Sequence, residues 1–282
     1  MPTETLTWGA GVRKITSIVF ALISVVAVGC ITTTTGAGSR PPELNANADA
    51  ARDFYTLALI AYDSGNLDVS LDYINQAIAL TDRGAENRTQ MILKRAEVNA
   101  GLGNWEPAEN DVREVIATSP NTAEAYFVSA LVYYMTNNLA GAERDLGQAL
   151  LLKPAYARAH NLKGNIFKER GDLEGALKAY NDAVMADDTF APAHFNRAET
   201  EMALGNYEAA LTDYSSAIAR YSELQREYLA QAYCGRARAY RMLGNTEMAD
   251  RDGEEADLRV PGVCEKEKPT GPRWGKGEAR PQ

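Results

Sequence analysis

Turn-forming residues recur through most of the chain at nearly constant spacing. They stand at Gly65, Gly103, Asn137, Gly171, Gly205 and Gly244. Three of the intervals between them are 34 residues long, and the other two are 38 and 39. Each turn lies between two helix-like segments of similar length, so the chain is predicted to be a tandem array of two-helix units. The extra residues of the long intervals fall in the loops 83–88 and around 222–227, where they lengthen connections.

Small side chains occur in phase with these turns. Seven residues before each turn stand Ala58, Ala96, Ala130, Gly164, Ala198 and Ala237. The positions five and twelve residues after each turn are small as well, with Val115 as the larger exception. Because two helices approach closely only where their facing side chains are small, these positions are predicted to be helix contacts. Pro120 and Pro154 close the second and third units, where a fixed φ and a missing N–H end one helix.

The period and the phased small residues resemble the tetratricopeptide repeat family over about residues 51 to 260. The resemblance implies an all-α fold, a right-handed superhelical solenoid of about six helix-turn-helix units. The units are predicted to start near residues 51, 89, 123, 157, 191 and 230, within an array spanning 45–260. Each unit would leave one apolar face bare, so the stability is expected to come from stacking neighbours.

The same resemblance implies a concave groove, lined by the first helix of each unit, in which a ligand would lie. The candidate groove residues are Tyr55, Leu59, Tyr62, Phe127, Leu131, Tyr134, Asn161, Asn165, Lys168, Phe195, Met202, Arg238 and Arg241. The middle of this set is apolar and aromatic, which is typical of a protein-binding surface, and its rear is polar and basic. The expected guest is an amphipathic helix or an extended segment of another envelope protein. Burial of Phe127, Leu131 and Tyr134 by curvature of the array or by the tail stays open as the alternative.

The first 29 residues have the organisation of an export signal. Arg13 and Lys14 precede an apolar run from Ile15 to Val28. This pattern is typical of a signal peptide, and the run is shorter than the roughly 20 apolar residues that span a bilayer. Residues 1–29 are therefore predicted to be a signal peptide, although an uncleaved inner-membrane anchor remains an alternative.

The end of this segment, Ala27-Val28-Gly29-Cys30, resembles the bacterial lipobox, although leucine is usual where Ala27 stands. The resemblance implies cleavage before Cys30 and lipidation of that cysteine, which would anchor the protein to a membrane. With no aspartate after Cys30, it further implies a periplasm-facing location at the outer membrane. Residues 30–44 would form a flexible tether. Ordinary signal peptidase, with Cys30 as a bystander, is the competing interpretation.

Two further cysteines, Cys234 and Cys264, form an even pair in an oxidising compartment once Cys30 is lipidated. A bridge between them would close a loop of about 30 residues and pin the tail to the last unit, contributing about 3 to 4 kcal/mol by the chain-entropy model. Two unpaired thiols are the alternative. Residues 261–282, rich in proline, glycine and charges, are predicted to be a disordered tail.

Residues for hydrolytic or metal chemistry do not converge in this sequence. The histidines, His160 and His194, occupy matching positions one repeat apart, and a packing role is predicted for both. No catalytic residue, metal site or cofactor is predicted. The formal net charge of -9, without a basic patch, argues against nucleic acid as a partner.

The predicted function is that of a non-enzymatic scaffold or adaptor tethered to the bacterial envelope. The combination of signal, lipobox and repeats resembles small tetratricopeptide lipoproteins of the pilotin type and envelope scaffolds that recruit peptidoglycan hydrolases. A periplasmic accessory enzyme and the uncleaved, inner-membrane scaffold are the alternatives.

Overall fold

The computed structural model describes residues 42–264, which contain twelve α-helices and no strand. From Glu43 onward they belong to one compact unit. The helices are α1 (Pro42–Asp63), α2 (Leu67–Ala79), α3 (Arg88–Gly101), α4 (Trp105–Thr118), α5 (Ala123–Met135), α6 (Leu139–Leu152), α7 (Ala157–Glu169), α8 (Leu173–Ala186), α9 (Ala191–Leu204), α10 (Tyr207–Arg220), α11 (Arg226–Met242) and α12 (Thr246–Arg259). They form six successive pairs, which confirms the all-α solenoid of helix-turn-helix units.

The turn inside each pair has the conformation that its residue favours. Gly205 ends α9 with φ 82°, in the left-handed region that glycine enters without steric cost. Asn137 takes the same place in the third unit, with φ 61°. The residue after each turn closes it by donating its N–H to a carbonyl five residues back, as Asn104 does to Asn99 at 2.8 Å. The predicted turns are therefore the points where the chain reverses between paired helices.

The small residues lie where the helices meet. All six residues at the position seven before the turn are buried, with Ala58, Ala96, Ala130 and Ala198 at 0% exposure. In the fourth unit this position is Gly164, and a Cβ added there would lie 2.4 Å from the ring of Tyr180, which is itself fully buried. The close approach of α7 and α8 therefore requires glycine at this position.

Partly buried ion pairs join the two helices in three of the units. Arg95 of α3 makes a bidentate contact with Asp111 of α4 at 2.6 and 2.8 Å, and Arg197 with Asp213 and Arg236 with Asp252 repeat the arrangement. In each pair the arginine stands eight residues before the turn and the aspartate eight after it. Asp252 is thus buried against α11.

The ends of the array differ slightly from the sequence-based boundaries. The first helix begins at Pro42, within the segment predicted as a tether. Residues 260–264 follow α12 and pack against Ala230 and Cys234 of α11, so the predicted tail begins as part of the fold. The signal peptide, Cys30, most of the tether and the tail beyond Cys264 lie outside the described residues. Among the described helices, none has the length and apolar character needed to cross a membrane.

Candidate functional site: a cavity among the first helices

The first helices of the units surround a cavity of about 380 Å³. Both ends of the array contribute to its wall, because Tyr62 of α1 and Tyr228 of α11 both line it. Between them, α3, α5, α7 and α9 supply side chains as well. One cavity is therefore formed by residues from all six units together with the α10–α11 connection.

Five of the predicted groove residues line this cavity. They are Tyr62, Phe127, Leu131, Asn161 and Asn165. The remaining predicted residues lie outside its lining. Tyr55, Leu59, Tyr134, Lys168, Met202 and Arg238 are half-buried, Phe195 is buried against Tyr214, and Arg241 is exposed with Asp250 at 3.8 Å.

The centre of the cavity is less exposed than the expectation of an apolar strip requires. Phe127 and Leu131 are each only 4% exposed. Phe127 packs against the Tyr156 ring at 5.2 Å between centroids, and the Arg158 guanidinium lies 4.5 Å from its ring centre. Neighbouring side chains cover this apolar face, because burying it away from water is favourable. Phe127 and Leu131 are therefore buried, which is the alternative that the sequence left open.

A charged centre that the sequence analysis missed adjoins the cavity. Glu97 of α3 is 2% exposed and accepts hydrogen bonds from Lys94 Nζ at 2.8 Å and from Tyr62 Oη at 2.7 Å. The guanidinium of Arg158 on α7 donates a third hydrogen bond to the same carboxylate. Residues from α1, α3 and α7 therefore meet at one side chain, which we call the Glu97 centre: Tyr62, Lys94, Glu97 and Arg158.

The pKa of Glu97 reflects this arrangement. Burial alone would raise the pKa of the carboxyl, but the charges of Arg158 and Lys94 and the hydrogen bonds from Lys94 and Tyr62 lower it to about 2. Burial and the neighbouring Glu97 charge raise the pKa of the Tyr62 hydroxyl well above its usual value. At neutral pH the centre therefore holds an ionised carboxylate, a neutral phenol and two cationic side chains.

The spacing of the repeats carried a signal for this centre. Glu97 stands six residues before its turn, the position that Leu131 and Asn165 occupy in the third and fourth units. The predicted groove set took no residue from the second unit, so Glu97 and Lys94 were passed over. Arg158 had no comparable signal, because its contact with Glu97 joins residues that are 61 positions apart.

An asparagine cluster lies beside the centre, between the fourth and fifth units. Asn196 of α9 donates from Nδ2 to Asn161 Oδ1 at 2.9 Å and to Asn165 Oδ1 at 3.3 Å. Asn165 also accepts from the Tyr180 hydroxyl at 2.7 Å. These amides satisfy one another in a buried place, so the polar part of the predicted groove is an internal network as much as an open surface.

A second buried glutamate, Glu199, stands at the position of Glu97 three units further on. It accepts hydrogen bonds from Arg238 at 2.6 Å and from the Tyr214 hydroxyl. Lys168 lies near it, and burial lowers the pKa of this lysine, partly offset by the charges of Glu199 and Glu169. The basic rear of the predicted groove is therefore largely neutralised from within.

The insertion before the sixth unit shapes the cavity as well. Tyr221 and Tyr228 flank it, and their rings stack with centroids 5.9 Å apart. Both rings line the cavity, as does Glu227. The insertion was predicted to lengthen a connection, but most of it extends α11, which has 17 residues where α9 has 14. It also brings two aromatic side chains to the cavity wall.

Both histidines hold the loops that precede their helices. His160 donates from Nε2 to the carbonyl oxygen of Pro154 at 2.8 Å, and His194 donates from Nε2 to the main-chain carbonyl oxygen of Asp188 at 2.9 Å. The second ring nitrogen of His194 lies 3.5 Å from the Asp213 carboxylate. These contacts fit the packing role that was predicted for both residues.

The last unit contains a disulfide between Cys234 and Cys264, whose Cα atoms are 5.4 Å apart. It joins α11 to the segment that follows α12. Val260 and Val263 pack beside it, against Ala230 and Tyr233. The bridge therefore holds the covering segment on the exposed end of the array.

Paired helices with a shared cavity define this chain as an α-helical repeat solenoid. Tetratricopeptide repeat models match residues 93–157, 138–194 and 188–256. The chain belongs to the tetratricopeptide repeat family, whose fold is generally a non-enzymatic one that binds partner polypeptides. No curated protein matches the sequence.

Solved structures share the fold at low sequence identity. PilW, a widely conserved type IV pilus biogenesis factor, is 19% identical with a TM-score of 0.55, over 76% of this chain and 96% of that one. PilF of Pseudomonas aeruginosa is 14% identical with a TM-score of 0.55, over 78% and 97%. A thermophilic tetratricopeptide protein of Thermus thermophilus is 21% identical with a TM-score of 0.54, over 65% and 98%.

Proposed function

We propose that this protein is a non-enzymatic scaffold of the bacterial envelope that binds a partner polypeptide in the cavity among its first helices. The observation that carries the proposal is the cavity itself, whose wall combines aromatic rings with a few polar groups from both ends of the array. Binding sites commonly combine apolar walls with a few placed polar groups.

The location is part of the proposal. The lipobox-like segment before Cys30 supports export and a lipid anchor at the outer membrane, with the array facing the periplasm. PilW is a type IV pilus biogenesis factor, and a similar role in assembling an envelope complex is proposed for this chain. Pilotin-like action and recruitment of a peptidoglycan hydrolase are the two forms that this role could take.

Site-specific photo-crosslinking in bacterial cells tests the binding surface. A photoreactive residue at Tyr228, in the cavity wall, is expected to give adducts with one partner protein. The same residue at Met185, which is 85% exposed and outside the cavity lining, is the matched control. Equal adducts from both positions, or none from Tyr228, would count against the cavity as the binding site.

Intact-mass analysis of the protein from its membrane fraction tests the anchor. A chain that begins at an acylated Cys30 is expected. A chain that retains residue 1 would support the uncleaved anchor instead, and an unmodified Cys30 at a new N-terminus would support ordinary signal cleavage.

A further inference from the structure

The Glu97 centre holds more positive than negative charge. Its one carboxylate is shared by the ammonium of Lys94 and the guanidinium of Arg158. The side chain of Lys94 is 17% exposed and that of Arg158 is 35% exposed, and both line the cavity. One positive charge is therefore left without a carboxylate at a half-buried place, in a chain whose formal net charge is -9.

The neighbouring charges do not cancel this excess. Glu124 lies near Arg158, but it forms its own ion pair with Lys153 at 3.0 Å. Asp63 and Glu227 also line the cavity, yet both are exposed, and water screens a charge at such a position. The excess positive charge thus lies at a half-buried place in the cavity wall, and the carboxylates of Asp63 and Glu227 lie at exposed positions of the same wall.

Aromatic rings support the two cations without neutralising them. The Lys94 ammonium lies 4.1 Å from the centre of the Tyr62 ring, and the Arg158 guanidinium lies 4.5 Å from that of Phe127. Cation–π contacts hold such groups in place but leave their charge intact. Because partly desolvated charges are stabilised by a partner of opposite sign, the centre favours an anionic group from outside.

The position of Arg158 also limits the shape of a guest. Arg158 is on α7 and its acceptor is on α3, so its side chain passes the cavity-facing side of α5, which lies between them in the array. A helix, about 10 to 12 Å across with its side chains, would have to break this contact to lie against α5. A single side chain from an extended segment could reach Lys94 and Arg158 with the contact intact.

We propose that the cavity binds an extended polypeptide segment that places one acidic side chain against Lys94 and Arg158. This inference rests on the proposed scaffold function and specifies the guest. The carboxylate would share the two cations with Glu97, while the aromatic rings contact its neighbours. A run of acidic residues fits less well, because Asp63 and Glu227 would repel a second carboxylate at the edge of the cavity.

The probe is a phage-displayed library of random octapeptides, selected against the full protein carrying the photoreactive residue at Tyr228. Selected peptides that crosslink there are expected to share a single Asp or Glu. Synthetic versions with that residue changed to Asn or Gln should bind about tenfold more weakly, as expected for the loss of a charged hydrogen bond. Versions with three consecutive acidic residues should bind no better than the original.

Two variants of the protein give opposite expectations, which a loss of stability could not produce. Lys94→Gln removes a cation and should weaken binding of the acidic peptide about tenfold. Glu97→Gln removes the competing carboxylate and should strengthen it several-fold, while the Asn or Gln peptide is affected little by either change. Arg158→Gln is the second cation variant if Lys94→Gln fails to fold, as judged by circular dichroism.

The outcomes separate the two proposals. Peptides that crosslink at Tyr228 but do not need an acidic residue would overturn the inference and leave the scaffold function standing. A shift of affinity in the same direction for Lys94→Gln and Glu97→Gln would overturn it as well. If no octapeptide crosslinks in the cavity, the scaffold function proposed for this cavity fails together with the inference.

Discussion

Two neighbouring contacts between units use the same three positions with opposite chemistry. Between the third and fourth units these positions hold Phe127, Leu131 and Leu162, which belong to one hydrophobic cluster. Between the fourth and fifth units they hold Asn161, Asn165 and Asn196, which form hydrogen bonds with one another. The cluster that begins at Ala58 ends in α7, and a separate cluster begins in α9.

The comparison shows that one backbone arrangement accepts either kind of contact. The apolar contact depends on buried area and tolerates small shifts of the side chains. The asparagine contact depends on each donor meeting its acceptor, because an unsatisfied buried amide costs free energy. The array is therefore joined at its middle by a contact that is more specific in geometry than its neighbour.

The largest effect is expected from placing an amide in the apolar contact. Leu162→Asn removes buried apolar surface and leaves an amide without a partner, so the free energy of unfolding should fall by about 3 to 5 kcal/mol. Urea denaturation followed by circular dichroism measures it. A loss below about 1 kcal/mol would mean that the apolar contact tolerates an amide, and would contradict the difference between the two contacts.

The Glu97 centre predicts an acid-sensitive contact that the asparagine cluster lacks. The pKa of Glu97 is lowered from its model-peptide value to about 2 in the folded state, so its contribution is present above about pH 4.5 and is lost as the pH falls towards 2. The contribution is about 3 kcal/mol at neutral pH. In thermal melts between pH 7 and pH 2, the Glu97→Gln variant should lose less stability at low pH than the parent protein, because it has no carboxylate to protonate at this position. An equal loss of stability in the variant and the parent would contradict the prediction.

A smaller loss is expected from the asparagine contact. Asn196→Leu leaves the Asn161 oxygen without its donor and removes one of the two donors to the Asn165 oxygen. The change should destabilise the protein by about 2 kcal/mol. Adding Asn161→Phe, Asn165→Leu and Tyr180→Phe copies the apolar contact and removes the unsatisfied groups. The fourfold variant should return to within about 1 kcal/mol of the parent in the same urea experiment. If it is less stable than Asn196→Leu alone, the two contacts are not equivalent in geometry.

The smallest effects concern glycines. Gly164→Ala places a Cβ against the buried Tyr180 ring, which holds its hydroxyl on Asn165, and should destabilise by about 1 to 2 kcal/mol. Gly147→Ala on α6 is the control, since nothing lies within 4 Å of its added Cβ, and it should stabilise by about 0.5 to 1 kcal/mol. Differential scanning calorimetry of both variants checks the opposite signs. Equal signs would show that Tyr180 moves freely.

Much of the fold could be read from local spacing. Turn residues such as Gly205 and small residues such as Ala130 act within one unit, where the distance along the chain is short. Their period therefore predicted the helix pairs and the turns between the paired helices. The site was predicted only in part, because Phe127 and Leu131 line the cavity as expected but are covered by Arg158 and Tyr156.

The two-helix unit, its number of copies and the close contacts inside each copy follow from the amino-acid sequence, because the residues responsible lie within about 34 positions of one another. The contacts that bring Tyr62 and Tyr228 to one cavity, and Arg158 to Glu97, appear only in the folded array. Such contacts depend on the rotation between successive units, which is small for each pair and accumulates along the array. That rotation is the sum of many side-chain contacts between units, and no short pattern in the sequence encodes it.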